Sequence, residues 1–275
     1  MRAYVFVDLG GPLMCDKKVE RARRDVSLGA ALRSRVLHDM ATSVPSVRRI
    51  KEGDFRSLYQ EAKERLKQSE LDPYDDINRL AFSLSLVCGA DPDALIRVVA
   101  EQSRERFFEY LSVPLGPVAL ESMNPRSFQA LKNLPDGTIL SVVTDNHPRL
   151  FLAAFGPALE TMFERYDLPP VKYRVLASRT AGNACYVSGE GWGLKKDPET
   201  WKKILSDQSV ASGDLVFLID DSPAKLMGFL GYDSGAAVFP ICYDPPHDVK
   251  DPLIAVKTME EAVLLINRLV RDMRC

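Results

Sequence analysis

Three short, largely apolar runs in this chain each stop on polar residues, and that arrangement narrows the folds open to it. Ala3–Val7 ends in Asp8-Leu9-Gly10-Gly11-Pro12-Leu13. Thr138–Val143 ends in Thr144-Asp145-Asn146, and Leu215–Ile219 ends in Asp220-Asp221-Ser222. Runs with little polar alternation suit strands buried on both faces, as in a parallel sheet. Tyr173–Ala177 and Ala236–Ile241 read as further strands. Helical patterns lie between them, at Arg126–Asn133, Arg149–Phe155, Pro198–Leu205, Pro223–Leu230 and Met259–Met273. Residues 178–194, with four Gly and two Ser, read as a loop or small hairpin. Strand–helix alternation of this kind predicts an α/β fold with a parallel sheet covered on both faces. Ligands of such sheets bind outside the carboxyl ends of the strands, so neighbouring strands would bring these polar residues to one crevice.

Residues 14–113 follow a different pattern. Leu28, Leu32, Val36 and Leu37 recur at helical spacing. Asp54 can cap a helix through Phe55, Leu58, Tyr59, Ala62 and Leu66. Asp72-Pro73 and Asp91-Pro92 open two more. The segment reads as an all-helical insert that ends at the breaker cluster Pro114-Leu115-Gly116-Pro117. Two domains are therefore expected: a core of residues 1–13 and 114–275, and a helical domain of residues 14–113.

The net charge of −2 gives no global field for nucleic acid or membrane. Residues 17–51 nevertheless hold ten Lys/Arg and three Asp/Glu, so that segment is +7 and the remainder −9. It reads either as solvated helix faces or as a basic lid for anionic substrates. Five cysteines without metal or redox spacing fit a reducing cytoplasm. No apolar stretch is long enough to span a membrane, and the first apolar run is too short for a signal peptide.

Each polar strand end has an ordinary structural reading. Asp8 can form a turn, Thr144 can cap a helix, Asp220 and Asp221 can be turn residues, and Lys195 can be an exposed lysine. Their order carries more weight than any one of them. Asp8-Leu9-Gly10-Gly11-Pro12-Leu13 resembles the first motif of the haloacid dehalogenase-like (HAD) hydrolases, Asp-x-Asp-Gly-Thr-Leu. Leu140-Ser141-Val142-Val143-Thr144 resembles the second, and Lys195-Lys196-Asp197-Pro198-Glu199 the third. Phe217-Leu218-Ile219-Asp220-Asp221-Ser222 is similar to the fourth. The resemblance implies a Rossmann-like HAD core with an inserted helical cap. It implies that Asp8 is the nucleophile and that magnesium is held by Asp8, the Gly10 carbonyl and Asp220 or Asp221. Gly10, Gly11, Thr144, Asp145 and Asn146 would face the phosphoryl group of a small anionic phosphorylated substrate, with Lys195 offsetting charge. No nucleic-acid or membrane partner is implied.

Two departures restrict the chemistry. Gly10 stands where the second acid of the first motif protonates the leaving group, and losing a general acid costs about 10²–10⁴-fold. Pro12 replaces a Thr. The acid often found four residues after the fourth motif is, counted from Asp221, Lys225. A hydrolase of an acyl phosphate or phosphoanhydride survives the first change, because its leaving group needs no proton. So do a 2-haloacid dehalogenase and a phosphonate-cleaving enzyme using Lys51, Lys63 or Lys67. A catalytically silent binding protein is the remaining alternative.

Overall fold

The computed structural model describes residues 1–275 except 45–46, 48–51, 70, 72–74, 100, 175–181, 188–191, 233–234, 246–247 and 275. Seven strands form one parallel sheet: β1 Ala3–Asp8, β2 Ile139–Thr144, β3 Lys172–Arg174, β4 Ala184–Val187, β5 Leu215–Asp220, β6 Ala237–Tyr243 and β7 Ile254–Val256. Their order is β3-β4-β2-β1-β5-β6-β7, which places β1 between β2 and β5. All six residues of β1 and of β5 are buried, as expected for strands covered on both faces. In register, Asp8 lies opposite Val143, and Val7 opposite Ile219. The three polar strand ends are therefore adjacent.

One face of the sheet packs on an aromatic cluster. Trp201 meets Phe6 edge-on at 6.0 Å and Phe229 at 4.8 Å between ring centroids. After α7 (Pro125–Leu131), α8 (Pro148–Leu150) and α9 (Gly156–Arg165) come α10 (Pro198–Asp207), which holds Trp201, and α11 (Pro223–Leu230), which holds Phe229. Asp197 caps α10 by accepting from Glu199 N at 3.1 Å, and Pro198 takes the first turn, where its missing N–H costs nothing.

The chain divides into two compact units. One holds residues 1–16, 122–148 and 158–275, and the other residues 17–121 and 149–157. The second is helical: α1 Asp16–Arg33, α2 Val36–Ser43, α3 Glu52–Leu66, α4 Asp76–Cys88, α5 Pro92–Arg97 and α6 Glu101–Ser122. The breaker cluster does not end this unit, because α6 continues through Pro114 and Pro117. Buried Leu111, Leu115 and Ala119, four residues apart, hold that helix by packing, which outweighs the lost backbone bonds.

The sequence reading differs from the structure in other places. β4 lies inside the segment read as a loop or hairpin, and β7 was not anticipated. β3 ends at Arg174, and the rest of its expected span falls outside the described residues. The helical pattern from Leu28 to Leu37 breaks at Arg35, which adopts φ 65°. α3 begins ahead of Asp54. The cap of α4 is Asp75, accepting from Ile77 N at 2.7 Å, while Asp72-Pro73 lies outside the described residues. The 149–155 helix is a π-helical turn, Phe151–Phe155, within a longer helical run. Of the basic segment, Lys17, Lys18, Arg21, Arg33 and Arg35 are exposed, as solvated faces would be.

Arg24 is half-buried and Arg23 is buried, the latter with Asp76 and Arg79 beside half-buried Glu20: Arg23 meets Asp76 at 3.3 Å and Arg79 meets Glu20 at 3.2 Å. Burial alone would raise the Glu20 carboxyl, but Arg79, Arg23 and Lys63 together hold it below the usual carboxylate range. Removing one member of a buried ion network leaves the others uncompensated. Arg79→Met is expected to destabilise the helical unit by about 3–5 kcal/mol in chemical denaturation. A loss no larger than that of the exposed control Lys67→Met would contradict this.

Candidate active site

The site is built on the carboxyl end of β1. Asp8 is 3 % exposed, and both of its oxygens face lysine ammonium groups. Lys195 Nζ lies 2.6 Å from Asp8 Oδ1 and 2.7 Å from Asp220 Oδ2. Lys225 Nζ lies 3.4 Å from Asp8 Oδ2 and 3.7 Å from Asp145 Oδ2. Asp220 Oδ1 accepts from Ser222 N at 2.9 Å. All four carboxylate oxygens of Asp8 and Asp220 thus face a protein donor.

Lys195 is held by its backbone as well as its charge. Its N–H donates to Asp145 Oδ1 at 3.0 Å, and its carbonyl accepts from Trp201 Nε1 at 2.7 Å. α11 presses on the same turn: a Cβ on Gly228 would lie 2.5 Å from the Lys196 carbonyl and 2.7 Å from Lys195 O. Glycine is therefore needed there for close approach, while Lys225, on the same helix, extends to Asp8. Gly11 has φ +76°, and a Cβ on it would meet Asp221 Oδ2 at 2.7 Å. The first turn and Asp221 thereby fix each other's place.

Burial pushes the Asp8 carboxyl up, and the Asp220 charge pushes it the same way; Lys195 and Lys225 oppose this without cancelling it. Burial alone would lower Lys195, but Asp220 and Asp8 hold its ammonium above the ordinary lysine range. The pair is an acid that resists ionisation beside a cation that resists deprotonation.

Asp8, Lys195 and Asp220 form one buried cluster. Thr144 and Asn146 are adjacent to it in sequence and buried, with Asn146 Nδ2 donating to Thr144 Oγ1 at 2.6 Å. That bond, and a next helix starting only at Pro148, set aside a capping role for Thr144. Asp145 departs from expectation. Its carboxylate is engaged by the Lys195 N–H and by Lys225, and a carboxylate would repel a phosphoryl group. Gly10 contributes no side chain, so the turn carries no proton donor at that position. Lys225, read in the sequence only as a missing acid, is part of the cluster, and so is its helix-mate Gly228. Of the lysines considered for a Schiff base, Lys63 meets Glu20 at 3.2 Å and Lys67 meets Glu64 at 2.9 Å, while Lys51 lies outside the described residues.

Asp8, Asp220 and Asp221 place one oxygen each within 4.8 Å of one another, a spacing that could hold a cation. The donor set does not fit a magnesium ion. Four carboxylates, on Asp8, Asp145, Asp220 and Asp221, already face two ammonium groups, Lys195 and Lys225. A 2+ ion on Asp8 Oδ2 would stand close to Lys225, and a 2+ ion about 4 Å from an ammonium is repelled by about 8 kcal/mol at an effective dielectric near 20.

No protein-family model and no curated protein matches the chain. Solved structures do. The magnesium-bound HAD-hydrolase YfnB of Bacillus subtilis is 12 % identical, with 97 % of this chain and 99 % of that one covered and a TM-score of 0.52. The 2-haloacid dehalogenase of Pseudomonas syringae is 17 % identical, with 98 % and 100 % covered and a TM-score of 0.50. This chain has the fold of the HAD hydrolases. The L-2-haloacid dehalogenase of Xanthobacter autotrophicus with chloropropionic acid covalently bound is 11 % identical, with 99 % and 100 % covered and a TM-score of 0.51.

Two outcomes follow from the HAD core's geometry. Gly228→Ala is expected to cost about 1–3 kcal/mol in denaturation, since backbone must shift to admit the methyl; an unchanged midpoint would contradict the close contact. Protonated Asp8 cannot attack, so any activity that uses it should fall with decreasing pH along a limb above the usual carboxylate range of about 4. A limb at or below that value would show that Asp8 is not raised.

Proposed function

We propose that the chain is a hydrolase that forms a covalent ester on Asp8 by displacing a leaving group that departs without a proton. The observation that carries this is Asp8 held between Lys195 and Lys225 with Gly10, not an acid, in the following turn. The leading substrate class is a small phosphorylated anion with a good leaving group, an acyl phosphate or phosphoanhydride. Asp8 attacks phosphorus, the bond to the leaving oxygen breaks, and that oxygen keeps the electron pair. Water then attacks the phosphoryl group, the bond to Asp8 breaks, and the products are free carboxylate, hydrogen phosphate and one proton. Lys195 and Lys225 offset the charge that gathers around Asp8. In this reading the Leu9 and Gly10 N–H groups and the Thr144 hydroxyl orient the substrate, while the Gly11 N–H donates to the Met14 carbonyl at 2.8 Å. Magnesium, which the resemblance implies and which YfnB binds, is left out of this reading because Lys225 faces Asp8.

The same lysine favours a second reading. Carbon–halogen cleavage needs a carboxylate nucleophile, no general acid and no metal. Asp8 would attack the halogen-bearing carbon, halide would leave with the electron pair, and water would hydrolyse the resulting ester. The covalent chloropropionic adduct of the Xanthobacter enzyme is chemistry of this type.

The test is turnover of acyl phosphates, phosphoanhydrides, alkyl phosphates and 2-haloacids by wild type beside Asp8→Asn. We expect turnover of one of the classes that need no proton, lost by about 10³-fold or more in Asp8→Asn. Equal activity of the two proteins, or none in either, would overturn the proposal. Gly10→Asp should raise alkyl-phosphate hydrolysis by about 10²-fold where the phosphoryl reading holds, because it supplies the missing donor; no increase would count against that reading.

A further inference from the structure

We infer that Lys225 is a catalytic residue that takes the place of a divalent cation, so that the site works without a metal. The inference rests on Asp8 being the reacting group, as proposed above. Its own observations are geometric. Three carboxylates, on Asp8, Asp220 and Asp221, converge to within 4.8 Å, an arrangement that attracts a cation. The cation that meets Asp8 Oδ2 is the Lys225 ammonium, at 3.4 Å, and it also faces Asp145 Oδ2 at 3.7 Å. Its side chain is 13 % exposed and extends from α11, the helix that follows Asp221 and closes on the Lys195 turn through Gly228. An ammonium tethered there is always present and carries one positive charge. It can donate to an incoming anion while Lys195 continues to hold Asp8 Oδ1 and Asp220. A divalent ion on Asp8 Oδ2 would compete with Lys225 for that oxygen and be repelled by its ammonium.

The charge of the cluster follows from this substitution. A tethered single charge balances less substrate charge than a hydrated 2+ ion would. That favours substrates with less negative charge near the reacting atom, a 2-haloacid monoanion ahead of a phosphoryl dianion.

The test reads metal binding directly, apart from turnover. Mn²⁺ is titrated into wild type, Lys225→Asp, Lys225→Gln and Asp8→Asn, with free ion followed by electron paramagnetic resonance and folding checked by circular dichroism. Wild type should show no saturable Mn²⁺ binding. Lys225→Asp should take up one ion, at least about a hundredfold tighter than wild type. Stoichiometric Mn²⁺ binding by wild type that Asp8→Asn abolishes would overturn the inference even if Lys225→Asp does not fold. So would absence of binding in a folded Lys225→Asp protein. Where turnover is found, EDTA should leave the wild-type rate unchanged, and Lys225→Gln should lose about a hundredfold without rescue by magnesium. Rescue to the wild-type rate would overturn it. Absence of turnover on every substrate would defeat the proposed hydrolase function and leave the Mn²⁺ comparison intact.

Discussion

The candidate site depends on one carboxylate held between two cations. Asp8 sits at the buried end of β1, where ionisation is disfavoured, and each of its oxygens meets an ammonium group. Removing either lysine would leave a buried negative charge partly uncompensated. Asp220 and Asp145 are drawn into the same arrangement, because they in turn neutralise Lys195 and Lys225. The cluster is therefore a small ionic lattice at the centre of the sheet rather than a set of separate residues.

Backbone contacts keep that lattice in place. Asp145 and Trp201 fix the two polar backbone groups of Lys195. Gly228 lets α11 approach the same turn closely enough for Lys225 to reach Asp8, and Gly11 lets the first turn lie against Asp221. Trp201 links this polar layer to the core, since its ring packs on Phe6 and Phe229 while its N–H holds Lys195. Precision at the charged end of the sheet thus rests on packing in its apolar interior.

Much of this was legible in the sequence, for physical reasons. Strands buried on both faces leave unbroken apolar runs, so β1, β2 and β5 and their polar ends could be read directly. β4 could not. Ala184-Cys185-Tyr186-Val187 is only four residues long and lies among glycines and serines that signal loops. The helix at Glu101–Ser122 runs past Pro114 and Pro117, whose local signal for termination the packing of Leu111, Leu115 and Ala119 overrides. Lys225 could be located in the sequence only as a departure from a pattern. That its ammonium meets Asp8 depends on how α11 packs, which no local pattern encodes. Gly228 is similar: its importance is a contact with residues 195–196, far away along the chain.

The most direct measurement is the mass of the peptide containing Asp8 after rapid acid quench. The protein would be mixed with acetyl phosphate, or separately with 2-chloropropionate, in excess EDTA. A covalent adduct on Asp8, phosphoryl from acetyl phosphate or 1-carboxyethyl from 2-chloropropionate, is expected with one of these substrates, formed without metal and absent in Asp8→Asn. An adduct that appears only when magnesium is supplied, or that maps to another residue, would contradict it.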